Sequence, residues 1–262
     1  MFTPYLRVKV CCVGVCLAIL AAPAAAAAQE SGPPRPHPGA TADFMFGRPR
    51  GSLALRGSWV FARAGSDLFD FVTDQLTLES GDFNARAIGG ELGIVITPRL
   101  EALAGVEMST TSDRPSEYRD FIDNNAQPIT QQTRLKTVDV TGSVKFSLRP
   151  RGRSISRLAW IPTGLTPYVG AGGGAIRYEF LQRGDFVDFV DLSVFTDVFE
   201  SKGWAPTAHA FGGVDLQVYR RLFVQLEGRY TWAKGTLSRD FIDFDPIDLA
   251  GFRTTAGISV LF

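Results

Sequence analysis

The sequence predicts an all-β protein, an eight-stranded antiparallel up-and-down transmembrane β-barrel. Three observations lead to this prediction. Eight stretches alternate apolar and polar residues with a period of two, as expected of strands whose two faces meet different surroundings. A secretion signal precedes these stretches, and the last of them ends on the aromatic residue Phe262. A closed barrel pairs every backbone group of its sheet, which the interior of a membrane requires.

The first segment of the chain, residues 1–28, is predicted to be a signal peptide. Arg7 and Lys9 precede an apolar run, and small residues follow it up to Ala28. The run is too short for a spanning helix, and this order of features is typical of a cleaved secretion signal. All three cysteines lie within it. The mature protein is therefore predicted to have neither a disulfide nor a cysteine metal site.

Residues 29–50 contain five prolines and are predicted to form an extended, poorly ordered tether. The barrel is predicted to occupy residues 51–262. No segment of it has convincing helical periodicity, and none reaches the roughly 18 successive apolar residues of a transmembrane helix.

The predicted strands and their connections follow one scheme. The strands are 52–61, 87–96, 100–108, 137–148, 167–180, 207–219, 222–233 and 251–262. Short turns follow the second and sixth strands, and long connections follow the first, third, fifth and seventh. Connection 149–166 is too long for a tight turn, and the scheme does not explain it. In the fifth strand, Tyr168, Ile176, Tyr178 and Phe180 are predicted to face outward, opposite Arg177 and Glu179.

Charge decides which face of the strands meets lipid. The polar faces are rich in small residues and carry charges of balanced sign, which suits the crowded interior of an eight-stranded barrel. The predicted lumen charge network comprises Arg56, Glu91, Glu101, Glu107, Asp139, Lys145, Arg177, Glu179, Asp215, Glu227, Arg229 and Arg253. Because an unpaired buried charge is costly, these groups are predicted to pair across the lumen. A plugged interior is favoured over an open channel.

The apolar faces carry aromatic residues near the strand ends, as in the girdles of membrane barrels. With the signal, the eight alternating strands and the terminal Phe262, the chain resembles the small eight-stranded outer-membrane barrels, namely the OmpA transmembrane domain, OmpX and OmpW groups. The even number of strands puts both ends of the barrel on one side. Long loops are extracellular and short turns periplasmic in such barrels, so both termini are predicted to be periplasmic. The resemblance implies a bacterial outer membrane and outer-membrane lipid as a partner. It also implies recognition by the outer-membrane assembly machinery through Phe252, Ile258, Val260 and Phe262.

The two ends of this barrel differ in charge. The long connections are net acidic, whereas the opposite end carries Arg99, Arg149, Arg151, Arg153, Arg157, Arg220 and Arg221. Arginines at that level are predicted to meet the phosphates of the inner leaflet.

Acidic residues and phenylalanines recur together in the four long connections. The binding candidates there are Phe69, Phe71, Phe121, Phe186, Phe189, Phe241 and Phe244. One interpretation is that the strands continue beyond the membrane as hairpins whose phenylalanines pack together. The other is a cup lined with phenylalanine and rimmed with carboxylates, whose extracellular ligand would be an apolar molecule, a cation or a partner surface.

Several function classes find no support in the sequence. A net charge of zero argues against nucleic-acid binding. No metal site is predicted. No cofactor is predicted either, because the glycine run at 170–174, which resembles a dinucleotide-binding pattern, is not followed by a helix. A lipid-modifying enzyme would need a serine hydroxyl beside His209. The neighbours of His209 on the same strand face are Thr207 and Phe211, so no enzyme is predicted. The expected function is a structural or surface-interaction role through the loops. The alternative, which the OmpW likeness suggests, is a narrow pore or transporter for small molecules, including apolar ones.

Overall fold

The computed structural model describes residues 45–123, 125–156 and 159–262, so the predicted signal peptide and most of the predicted tether lie outside the described residues. Its strands are β1 (Met45–Phe46), β2 (Gly51–Ala62), β3 (Ala85–Val95), β4 (Leu100–Thr110), β5 (Arg114–Ile122), β6 (Pro128–Ser147), β7 (Gly152–Ser154), β8 (Ala159–Pro162), β9 (Leu165–Val187), β10 (Val194–Tyr219), β11 (Leu222–Gly235), β12 (Ile247–Asp248) and β13 (Gly251–Leu261). One α-helix, α1, spans Asp67–Gln75.

Eight of these strands form a closed antiparallel ring in the order β2, β3, β4, β6, β9, β10, β11, β13, and β13 pairs with β2 to close it. The prediction of an eight-stranded antiparallel barrel is confirmed. The strands β6, β9 and β10 are longer than predicted, with 20, 23 and 26 residues. We call the end with the long connections the loop end and the opposite end the turn end.

The ring is staggered, so that its strands are tilted. Starting at Phe61 of β2, we move from each residue to its direct partner on the next strand. The path returns to β2 at Gly51, ten residues from its start. It passes through Phe252, Tyr230, Ala210, Ala171, Val144, Ala102 and Ile94. In barrels, strand number and this stagger together set tilt and width. Eight strands leave an interior just wide enough for side chains to fill.

The outer surface of the ring is apolar and its interior is polar, as predicted. Leu55, Ile88 and Ile258 are examples of outward residues that are more than half exposed. Alternating with them, Arg56 and Ser259 point inward and are buried. A belt of uncharged outward side chains therefore surrounds a charged interior, the reverse of a water-soluble barrel.

The predicted facing of β9 was wrong. Tyr168, Ile176, Tyr178 and Phe180 are buried inside, whereas Arg177 is exposed on the outer face with Glu179 partly exposed beside it. Tyr168 faces the lumen, where its hydroxyl donates to Glu227. Tyr178 and Phe180 face inward because β9 continues past the apolar belt. There the outer face meets water and the inner face is covered by the long connections, so bulky apolar residues turn inward.

Inward glycines allow β9 to lie close to β6. A Cβ on Gly174 would meet the carbonyl oxygen and carbon of Val140 and the Cα of Thr141, whereas a Cβ on Gly142 would meet nothing within 4 Å. We expect Gly174→Ala to lower the free energy of unfolding by about 1–3 kcal/mol, because the backbones must separate. Urea unfolding of the protein in detergent measures this. Gly142→Ala is the matched control, and equal stability of the two variants would contradict the explanation.

The long connections form an apolar dome over the loop end. The helix α1 was not predicted, because its nine residues are too few to establish a helical period. Its buried face, with Leu68, Phe69 and Val72, packs in one cluster with Tyr178 and Phe180 of β9 and with Phe241. The interpretation that strands extend beyond the belt and that their phenylalanines pack together agrees with this arrangement.

The connection 149–166 forms a floor at the turn end. Its strands β7 and β8 pair with β1, which belongs to the end of the predicted tether, in a small three-stranded sheet. Trp160 of β8 is buried against Phe223 and Leu261. The tether is therefore ordered at residues 45–46, and the long connection closes the barrel from below.

Within the described residues, we find no helix with the length and apolar character needed to cross a membrane.

Candidate functional site

The centre of the lumen is a group of four charged residues joined by ion pairs. Arg56 lies between two carboxylates, donating to Glu91 and, at 2.5 Å, to Glu227. Arg229 donates to Glu227 at 3.0 Å. The hydroxyl of Tyr168 donates to the same carboxylate at 3.1 Å. Each charge therefore has an opposite charge beside it, which a buried ion requires.

Two further ion-pair groups flank the centre. Toward the loop end, Arg253 bridges Asp139 and Glu107, donating to the latter at 2.7 Å. Toward the turn end, Lys145 lies 2.8 Å from Asp215. There Arg151 of the floor also enters the barrel and lies 2.7 Å from Glu101. The three groups lie at successive levels along the lumen.

The structure places ten of the twelve predicted lumen charges inside the barrel: Arg56, Glu91, Glu101, Glu107, Asp139, Lys145, Asp215, Glu227, Arg229 and Arg253. Arg177 and Glu179 were assigned wrongly and lie on the outer face. Arg151 was missed. It was expected to meet lipid at the turn end, yet it is buried, and no local pattern distinguishes it from the neighbouring arginines. Arg157 lies outside the described residues.

A serine and a histidine meet inside the barrel. The Oγ of Ser143 lies 2.7 Å from the Nε2 of His209. Both side chains are buried, and the ring of Phe211 stacks on the imidazole with the ring centroids 6.0 Å apart. No carboxylate hydrogen-bonds to His209 among the residues that the structure describes. The pair therefore lacks the third group that orients the histidine in serine hydrolases.

The dome contains an apolar cleft with a volume of about 220 Å³. All four long connections contribute to it, with Phe71 from α1, Tyr118 from β5, Phe186 beyond the belt on β9 and Phe244 from the last connection. Edge-to-face contacts hold these rings, including Phe71 on Phe244 at 5.5 Å and Phe186 on Phe199 at 4.6 Å. Such packing adds specific geometry to the apolar burial.

Few polar groups border this cleft, and one of them is unsatisfied. Gln131 is 4% exposed, and its Oε1 has no hydrogen-bond partner among the described residues. Burial raises the pKa of the neighbouring Tyr118 hydroxyl, and hydrogen bonds from the Val187 backbone and the Gln131 side chain offset part of that rise. Asp240 is the only charged residue of the described lining. A cleft lined mostly by aromatic and aliphatic side chains suits an apolar ligand.

The loop candidates divide into three groups. Phe71, Phe186, Phe189, Phe241 and Phe244 line the cleft. Phe69 lies beneath it against Phe83, and Phe121 packs beside it on Tyr118 and Phe189. Phe195 and Phe199 also line the cleft and were missed. Their position on β10 could be read from the sequence only by extending that strand well beyond the apolar belt.

The described residues contain no group of three or more His, Cys, Asp or Glu side chains arranged to hold a metal ion. The predicted assembly residues Phe252, Ile258, Val260 and Phe262 all face outward and are exposed. The backbone of the last of them pairs with that of Gly51.

A closed antiparallel ring, an uncharged outer belt and an ion-paired lumen define a transmembrane β-barrel. Among solved structures, the chain is similar to Neisserial surface protein A, with 13% identity over 84% of this chain and 98% of that one and a TM-score of 0.46. It is similar to the outer membrane protein OprG from Pseudomonas aeruginosa, with 12% identity over 83% and 99% and a TM-score of 0.41. It is also similar to Ail, the attachment invasion locus protein of Yersinia pestis, with 11% identity over 82% and 100% and a TM-score of 0.38.

No family model matches the chain. No curated protein matches it at a significant level.

Proposed function

We propose that the protein is a non-enzymatic barrel of a bacterial outer membrane that binds an apolar extracellular ligand in the cleft of its dome. In this proposal the dome faces the exterior and both termini lie in the periplasm, as expected when long connections are extracellular and short turns periplasmic. The observation that carries the ligand proposal is the cleft itself, with aromatic walls from all four long connections.

The alternative function, a narrow pore, finds less support. A water path would have to pass Arg56, Glu227, Arg229 and Arg253, and these four side chains are buried and ion-paired. The floor with Arg151 and Trp160 lies below them, and the dome covers them from above. Opening such a lumen would separate several buried ion pairs at once, which costs much free energy.

Single-channel recording tests this part of the proposal. We expect the refolded protein to give no discrete conductance steps in planar bilayers, because its lumen is filled. Arg229→Ala, recorded beside it, removes one lumen side chain and leaves the floor in place, so it should also be silent. Discrete steps from the folded wild type that the substitution alters would make transport the function instead.

An enzymatic function has one observation in its favour, the contact between Ser143 and His209. A serine hydrolase, however, also needs access for its substrate and a group that orients the histidine. Both side chains are buried in the lumen, and no carboxylate of the described residues accepts a hydrogen bond from His209. The pair is better explained as a satisfied hydrogen bond of the barrel interior.

Photolabelling with phenyl diazirine, a small apolar probe, tests the cleft. We expect labelled peptides from two places, the outward belt and the lining of the cleft. Phe244→Asp places a carboxylate in the apolar wall, and burying a charge there is costly. It should reduce labelling of the cleft peptides at least tenfold and leave labelling of the belt unchanged.

Ile242→Asp is the matched control for that experiment. Ile242 belongs to the same connection, is 76% exposed and does not line the cleft. The same new charge at this position should leave labelling of the cleft peptides within twofold of the wild type. Equal losses in both variants, or no cleft labelling in the wild type, would contradict the proposal.

A further inference from the structure

The outer face of the barrel carries three basic residues at the loop-end boundary of the apolar belt. Arg86 of β3, Lys136 of β6 and Arg177 of β9 all point outward and are exposed. In register, Arg86 is opposite Thr110 of β4 and Thr110 is opposite Lys136, while Arg177 is opposite Val138, two residues from Lys136. They therefore form one surface across four adjacent strands, which we call the basic patch.

Aromatic residues place the basic patch at the membrane interface. Trp59 is the cross-strand partner of Arg86, and the guanidinium carbon lies 5.8 Å from the centroid of its ring. Trp204 is the cross-strand partner of Arg177 at the other side of the patch and is 58% exposed. Tryptophans in barrels concentrate at the level of the lipid headgroups. The three cations thus lie at the depth of the lipid phosphates.

None of the three cations forms an ion pair with a residue that the structure describes, whereas the cations of the lumen do. The nearest carboxylate by register is Glu179, opposite both Lys136 and Lys202. It pairs with neither, and Lys202 pairs with Glu200 at 2.6 Å instead. The surface is net positive even when these two carboxylates and Lys202 are counted. Above it, the long connections carry more acidic than basic residues, so the net positive charge lies at the boundary.

We infer that the basic patch binds the phosphate headgroup of a lipid in the leaflet at the loop end. Basic side chains near a membrane surface attract anionic lipid, and each adds to the affinity. Arginine suits phosphate because its planar group donates several hydrogen bonds at once. A lipid with its acyl chains along Val138 and Met108 of the belt would present its phosphate to Lys136 and Arg177.

The tryptophans that flank the patch report on such binding. We would place the full chain with Trp160→Phe and Trp232→Phe in phosphatidylcholine nanodiscs that contain rising fractions of phosphatidic acid with brominated acyl chains. The two substitutions leave Trp59 and Trp204 as the fluorescent tryptophans. Bromine quenches only nearby tryptophans, so quenching reports lipid bound beside these two residues. We expect the protein to prefer phosphatidic acid over equally brominated phosphatidylcholine by about tenfold or more.

The double variant Lys136→Gln and Arg177→Gln should reduce this preference at least fivefold. The matched control, Arg183→Gln with Arg239→Gln, removes the same charge from exposed positions beyond the patch and should keep the preference within twofold. Circular dichroism checks that each variant is folded, and Arg177→Gln alone replaces the double variant if that one does not fold. Inorganic phosphate at millimolar concentration should not displace the lipid.

Three results would overturn the inference. They are the absence of any preference in the wild type, an equal loss in the control variant, and full displacement by inorganic phosphate. The last would indicate a site for a soluble anion rather than for a lipid headgroup.

Discussion

Arg56→Met should lower the free energy of unfolding by about 3–5 kcal/mol, because it leaves the buried carboxylate of Glu91 without a close partner. Arg56 donates to Glu91 and Glu227, and Arg229 alone would then have to balance both charges. Arg229 lies 3.6 Å from Glu91, a weak contact that cannot replace the lost one. The measurement is reversible urea unfolding in lipid vesicles, followed by tryptophan fluorescence.

Arg177→Met is the matched control for this prediction. It makes the same chemical change on the same kind of strand, but Arg177 is exposed on the outer face and has no ion pair within the described chain. We expect its effect to remain within about 1 kcal/mol, since charged residues near the interface contribute little to barrel stability. If the two substitutions destabilise the barrel equally, the assignment of the two arginines to opposite faces is wrong.

Phe180→Ala should destabilise the protein by about 3–5 kcal/mol, as is typical when a fully buried phenylalanine is truncated. Phe180 is fully buried, with its ring centroid 6.1 Å from that of Phe69 and 5.5 Å from that of Phe241. The substitution leaves a cavity where β9 meets the dome. Because Phe180 is on a barrel strand, the loss should appear in the main unfolding transition.

The control for Phe180 is Phe146→Ala on β6. Phe146 faces outward and is 41% exposed. Its truncation opens no internal cavity, because lipid or detergent fills the space. We expect a loss less than half as large as that of Phe180→Ala. A larger loss for Phe146→Ala than for Phe180→Ala would indicate that Phe180 faces outward, as the sequence predicted.

Alternation predicted the barrel well because every strand within the belt has lipid on one face and the packed lumen on the other. Apolar residues therefore face outward and polar residues inward on each of these strands. Strand β13, with Val260 out and Ser259 in, shows this rule plainly. The rule fails for Phe180, since above the belt the two surroundings exchange roles. A sequence pattern contains no marker of where the membrane ends along a strand.

Contacts between distant parts of the chain were beyond prediction. Arg151 reaches Glu101 only because the floor folds under the barrel. The phenylalanines of the cleft were recognised as a group. Which of them line the cleft and which pack behind the lining depends on the position of the β9–β10 hairpin relative to α1, which the sequence does not give. The contact of Ser143 with His209 arises from strand pairing across β6, β9 and β10.

The pairing of β2 with β13 has a consequence for biogenesis. The first barrel strand finds its second neighbour only in the C-terminal strand, and Arg50 and Gly51 donate to the carbonyl of Phe262 at 2.7 and 3.0 Å. Until that strand arrives, β2 and β11 each present an open edge that hydrocarbon cannot solvate. Such long sequence separation slows folding. A folding chain must therefore be kept from the bilayer, or shielded within it, until β13 is available, and a chain that lacks β13 would keep both edges open.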